Sequence, residues 1–224
     1  TEGPLDYSSH FYAQETIPGP GTDELYVIGW IPGWDRTWMA NYSDNMRKNT
    51  GSWWNGCFSL PRRLSLDEQG VLVQSPVSAL QKLRGERISM GPMKLIASSQ
   101  LVEYTSLPAI RGDQLEIKLS LQLGSAAFCG INVLCDESGT GGLPVMWYGD
   151  GIDVDGVEVQ IDNWHPGAPI DIHLFVDRAY VEVFIDGGKY CITRKVRREN
   201  IKGDHVALTH IGGHAFARSV EAWH

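Results

Sequence analysis

No run of about 18 apolar residues occurs in this 224-residue sequence, so no stretch is long and apolar enough to cross a bilayer as a helix. Basic residues are in the minority, 19 against 27 acidic ones, for a formal charge of -8. Such a balance argues against a nucleic-acid partner, whose phosphates reward a basic face through counterion release. The one basic cluster, Arg194-Lys195-Val196-Arg197-Arg198, alternates poorly and reads as a solvated strand end. Cysteine is sparse. Cys57, Cys129, Cys135 and Cys191 fit no zinc spacing, and Cys129 and Cys135 are too far apart along an extended chain to bridge. Free, buried thiols are expected. The seven histidines are scattered singly, none set beside a Ser or Cys as a nucleophile's base would be, so triad chemistry is unsupported. The run Asp150 to Gly156 lacks calcium-loop spacing, and its alternation with Ile152 and Val154 fits a strand face. Neither a metal nor a cofactor is expected.

What is present points to β-structure. Hydrophobic content of 42% with 25 Gly and 11 Pro describes a folded, turn-rich chain. The clearest stretch is Asp171 to Gly188, where Ile172, Leu174 and Val176 share one face and Val181, Val183 and Ile185 share another, across the turn-prone Asp177-Arg178-Ala179. This predicts a β-hairpin. Asp186-Gly187-Gly188 predicts a second tight turn into a third strand, Tyr190 to Val196, giving a meander with one face to a core and one to water. Further strands are expected over 93–97, 115–121, 130–135, 145–148, 157–161, 205–208 and 215–223, many and short, as in a sandwich or barrel. Between them, Leu115, Ile117, Leu119 and Leu121 alternate with Glu116, Lys118, Ser120 and Gln122.

Tryptophan is abundant, and five of the eight (Trp30, Trp34, Trp38, Trp53 and Trp54) fall within 25 residues of one another. Such density belongs to a crowded core or to a sugar-facing surface. Trp53 is expected in the core and Trp54 at the rim, since adjacent strand residues face opposite sides. Ser75 as N-cap, Pro76 at the first helical position, Val77, Leu80 and Leu83 along one side and Gly85 as a stop predict a short helix. The opening Thr1-Glu2-Gly3-Pro4, polar and without an initiator methionine, reads as the start of a processed or truncated product. Asn41-Tyr42-Ser43 is a glycosylation sequon that matters only in a secreted eukaryotic protein.

Several strings occur in one order: Leu5-Asp6-Tyr7 followed by Phe11-Tyr12-Ala13-Gln14, Ile28-Gly29-Trp30 followed by Trp34, Trp54-Asn55-Gly56 followed by Leu60-Pro61-Arg62-Arg63-Leu64, and Gln74-Ser75-Pro76-Val77 followed by Leu80, Leu83 and Arg84. With Val176-Asp177-Arg178 and Val181-Glu182-Val183-Phe184, they resemble glycoside hydrolase family 32, the sucrose- and fructan-cleaving enzymes. Ser8 and His10 stand where that family has Gly and Asp. The resemblance implies an all-β chain: residues 1–74 as the last blade of a five-bladed β-propeller, 75–85 as a linker helix, and 86–224 as a C-terminal β-sandwich.

It also implies a carbohydrate partner, a β-fructan or a sucrose-like sugar. Trp34 takes the place of an indole that approaches the fructosyl pocket. Asp35 and Arg36 beside it either bond sugar hydroxyls or pair with each other to shape the loop, and Tyr12 either lines the pocket or packs between blades. A retaining glycosidase needs two carboxyl groups about 5 Å apart, and the family's catalytic strings, Trp-Met-Asn-Asp-Pro and Glu-Cys, are missing along with its sugar-binding Arg-Asp-Pro. Trp38-Met39-Ala40-Asn41 imitates the first, but no carboxylate follows until Asp44. The expected role is therefore the C-terminal part of a fructan- or sucrose-cleaving hydrolase, inactive alone. It supplies a Trp-rich pocket loop and a stabilising sandwich, and its open blade needs the missing N-terminal propeller chain or a second copy. The alternative is a stand-alone, non-catalytic carbohydrate-binding or structural sandwich.

Overall fold

The computed structural model describes residues 3–19, 23–32, 56–97 and 101–224. Among the described residues, eighteen strands form three antiparallel sheets. The first contains β1 (Tyr12–Pro18), β2 (Leu25–Ile31), β4 (Arg62–Leu66) and β5 (Leu72–Pro76) in sequence order, with the two-residue β3 (Cys57–Phe58) against β2. Sequential up-and-down order is the connectivity of a propeller blade. Every residue of β1 is exposed, so this sheet ends on an open strand.

The other two sheets face each other. One runs β13 (Val157–Gln160), β12 (Gly151–Val154), β11 (Leu143–Trp147), β10 (Phe128–Cys135), β17 (His205–Ile211), β8 (Val102–Arg111). The second runs β16 (Tyr190–Lys195), β15 (Tyr180–Ile185), β14 (Pro169–Asp177), β9 (Gln114–Leu123), β18 (His214–Trp223), β6 (Arg87–Met90), with β7 (Met93–Ile96) also on β18. Alternate residues of both sheets point inward. Ile117, Leu119, Ile131, Val145, Ile172, Leu174, Val183 and Leu208 are all at most 3% exposed and form one continuous core. Burying each such side chain contributes about 1.5–3 kcal/mol. Trp147, fully buried, donates its indole N–H to the Gly149 carbonyl at 2.7 Å and meets Trp164 edge-on.

The predicted meander is present, with Val176 opposite Val181 and Ile172 opposite Ile185. Arg178, at φ +55, makes the two-residue turn, and the second turn runs over Asp186–Gly188 with all three residues at positive φ. All four cysteines are free; Cys57 is half-buried and the others are buried.

Three expectations are corrected. Ser75 and Pro76 lie in β5 rather than opening a helix; the helical turn is 3₁₀, Ser78–Leu83, and its N-cap, Val77, makes no side-chain bond. Proline fits there because β5 is an edge strand of its sheet and needs no donor on that side. The segment Val102–Arg111, where Pro108 and a register shift interrupt the alternation, is a ten-residue strand, again at a sheet edge. Third, the outer face of the meander is not turned to water throughout: Glu182 and Phe184 point out of the sandwich yet are only 5% and 3% exposed. The first sheet covers them.

Candidate functional site

Of the residues expected to meet sugar, Trp34, Asp35 and Arg36 lie outside the described residues, as do Trp53 and Trp54. Tyr12 is described. It opens β1, 59% exposed, with its ring 6.2 Å from that of Trp30. In the strand register Trp30 stands opposite both Tyr12 and Phe58, and Phe58 is 75% exposed. Three aromatic residues thus share one row across β1, β2 and β3, at the end of the sheet where the chain leaves β2 toward residue 33. Trp30 is marked in the sequence only as one of the clustered tryptophans and in the Ile28-Gly29-Trp30 string, and Phe58 is not marked as a site residue; what joins them is cross-strand pairing, which emerges only once β3 is placed. Exposed aromatic faces at a strand end offer apolar surface of the kind that stacks on a sugar ring.

Beneath this row lies a charged joint. Arg62, at 0% exposure, donates through Nε and Nη2 to Glu182 Oε2 at 3.2 and 2.7 Å, and through Nη2 to Asp6 Oδ2 at 3.1 Å and Thr193 Oγ1 at 2.7 Å. Its Nη1 reaches Gln74 Oε1 at 3.3 Å. The guanidinium also lies 4.3 Å from the Phe11 ring centre and 5.1 Å from that of Phe184. Burial alone would lower the Arg62 pKa, but the charges of Glu182 and Asp6 outweigh it and raise it. Burial pushes the Glu182 carboxyl up, against the opposing pull of Arg62 and the Leu60 N–H. With side chains 1% and 6% exposed, Asp6 and Glu182 are beyond the reach of a sugar. The pair joins the sheets.

The stretch from Asp6 to His10 closes the outer edge of β16. Tyr7 N–H donates to the Cys191 carbonyl at 2.9 Å, Thr193 N–H donates to Asp6 Oδ1 at 3.1 Å, and Ser8 Oγ donates to the Thr193 carbonyl. Lys195 N–H donates to His10 Nδ1 at 3.3 Å. Burial, followed by the charges of Arg194 and Lys195, brings His10 down to about 4, so at neutral pH it is an uncharged acceptor. An edge strand otherwise open to pairing is satisfied along its length. Arg194, expected to be solvated, instead donates to the backbone carbonyl and Oδ2 of Asp155 at 2.7 and 2.8 Å.

A second cluster fixes the connection between the sheets. Arg84 donates to both oxygens of Glu116 at 2.7 and 2.6 Å, lies 4.1 Å over the Trp223 ring, and shares Glu116 with His173 at 2.7 Å. Burial pushes the Glu116 carboxyl up, but the bonds from Arg84 and His173 and their charges bring it down to about 2. Beside it a cleft of about 430 Å³ opens between Gln74, Ser75 and Pro76 on one wall and Lys118, Asp171 and Glu221 on the other. Among the described residues, no three His, Cys, Asp or Glu side chains converge as metal ligands would.

Comparison with known proteins agrees with this architecture. The model of the glycosyl hydrolases family 32 N-terminal domain matches residues 3–76, and that of the family 32 C terminal matches residues 79–224. The sequence is 29% identical to a levanase of Bacillus subtilis over 210 residues, covering 84% of this chain and 29% of that protein. It is 28% identical to a sucrose-6-phosphate hydrolase of Escherichia coli over 200 residues, 86% of this chain and 38% of the other. The fold is that of fructan 1-exohydrolase IIa from Cichorium intybus, with a TM-score of 0.75 at 16% identity over 98% of this chain and 48% of that one. The chain therefore spans less than half the length of each of these proteins. With the two family models matching in order, one on the blade and one on the sandwich, the chain belongs to glycoside hydrolase family 32.

Proposed function

We propose that this chain is the C-terminal part of a fructan- or sucrose-cleaving glycoside hydrolase. In this reading, residues 1–74 are its last propeller blade, 75–85 the connection and 86–224 the sandwich. One observation carries the reading: the N-terminal family model is met only by residues 3–76, on a sheet whose β1 edge stands fully exposed. The blade contributes Tyr12, Trp34, Asp35 and Arg36 to the sugar pocket. The catalytic carboxylates come from the remainder of the propeller, and this chain alone hydrolyses nothing. Relatives named levanase, sucrose-6-phosphate hydrolase and fructan 1-exohydrolase support a fructan or sucrose-type substrate.

The test is the intact mass of native material under denaturing and non-denaturing conditions, with sucrose and levan hydrolysis assays alongside. A partner chain that travels with activity supports the reading. An active chain running alone refutes it, and an inert chain running alone leaves the second reading. That second reading, a non-catalytic sugar-binding module, is favoured by the row of Tyr12, Trp30 and Phe58, whose two outer members are exposed, and retention on levan tests it.

A further inference from the structure

Two routes lead from the sandwich to the aromatic row, and both begin at Glu182. The first is hydrogen-bonded. Glu182 Oε1 accepts from the Leu60 N–H at 2.6 Å. The preceding residue, Ser59, only 4% exposed, donates its N–H to the Gly29 carbonyl at 2.8 Å. Ser59 Oγ also accepts from the Gly29 N–H at 2.9 Å and donates to the Leu60 carbonyl at 3.1 Å. The second route is stacked. Glu182 Oε2 holds Arg62, the guanidinium lies over Phe11, and Phe11 fills the space a Cβ on Gly29 would need, its ring 2.5 Å from that position. Both routes meet at Gly29, directly before Trp30, and Phe11 directly precedes Tyr12.

We propose that Glu182 is a positioning residue: from the sandwich, it sets where Gly29 sits and hence how Tyr12, Trp30 and Phe58 are presented. The proposal rests on reading that row as sugar-facing, and it adds a residue of the other domain to the control of the surface. A carboxylate suits the role because three donors converge on it, Leu60 N–H, Arg62 Nε and Arg62 Nη2, and both oxygens accept. An amide at this position has one accepting atom and must turn its N–H₂ toward either Leu60 or Arg62, leaving one route unmade.

Amide hydrogen exchange read by NMR on the full chain tests this with Glu182→Gln and Ser59→Ala. Glu182→Gln is expected to speed exchange at Gly29 and Leu60 by about tenfold, the loss of one net hydrogen bond. The Tyr12 and Trp30 ring signals move, while Ile131 and Leu208 in the sandwich core exchange as before. Ser59→Ala is expected to release Gly29 while sparing Leu60, and it carries the test if the first variant fails to fold. Uniform acceleration that includes Ile131 and Leu208, or an unmoved Gly29, overturns the proposal and leaves Glu182 a residue of general stability. Titrating the wild-type chain with fructose oligosaccharides from levan separates the two readings. Silent Tyr12 and Trp30 signals refute the sugar-facing row but not the positioning, which exchange decides independently.

Discussion

Replacing Arg62 by leucine keeps apolar contact with Phe11 and Phe184 but removes the cation that bonds both Asp6 and Glu182 in the joint, whose side chains are 1% and 6% exposed. Stranding buried charge in this way costs about 3–5 kcal/mol. For a chain of this size each kcal/mol lowers the melting temperature by about 2–4 °C, so Arg62→Leu should melt about 6–20 °C early. Its neighbour provides the control. Arg63 pairs with Glu24 at 3.2 Å with both side chains more than a third exposed, and such pairs contribute about 0–1 kcal/mol. Thermal unfolding followed by circular dichroism and tryptophan fluorescence at neutral pH measures both. Because the cost comes from unpaired charge, the triple change Asp6→Asn, Arg62→Met, Glu182→Gln should recover more than half of the loss. If Arg62→Leu melts within a few degrees of Arg63→Leu, or if the triple variant is no better than the single one, the joint does not hold the sheets together as argued.

Three further outcomes are expected. Gly188→Ala puts a Cβ 1.8 Å from the Gln74 carbonyl at φ +95, whereas Gly187→Ala at φ +68 meets open space. The second should cost about 1–2 kcal/mol of backbone strain and the first at least twice that, read from urea midpoints. Glu116, held down at about 2, contributes stability that is fully present above its unfolded value near 4.5 and is lost as pH falls toward about 2. Burial likewise lowers His173, so its neutral form favours folding and acidification costs stability from about 6.5 downward. Melting temperatures from pH 7 to 2.5 should fall less steeply in Glu116→Gln than in wild type, and parallel curves would remove this cluster from the acid response. Finally, Trp34→Ala and Tyr12→Ala should each weaken levan retention by about tenfold, the loss of one stacked ring; unchanged retention moves both residues out of the pocket.

The meander, the buried faces of β9, β14 and β15 and the free thiols were legible in the sequence. Period-two alternation and turn residues act over a few positions, and Ile117, Leu119, Ile172, Leu174 and Val183 carry that pattern without interruption. The ordered strings from Leu5 to Phe184 placed the chain in its family, because their residue types and spacing are written along the chain. Only the tertiary structure decided the rest. Val-Glu-Val-Phe reads as core and water in alternation, yet Glu182 and Phe184 are buried because a second sheet lies over them. Arg62 finds Glu182 from 120 positions away, and Thr193 reaches Asp6 across 187. Ser75 and Pro76 looked like a helix start but pair with Arg63 and Arg62 as strand. A local pattern reports which face of an element is apolar. Whether its polar face meets water or another sheet depends on partners far along the chain, and no spacing in the sequence encodes them.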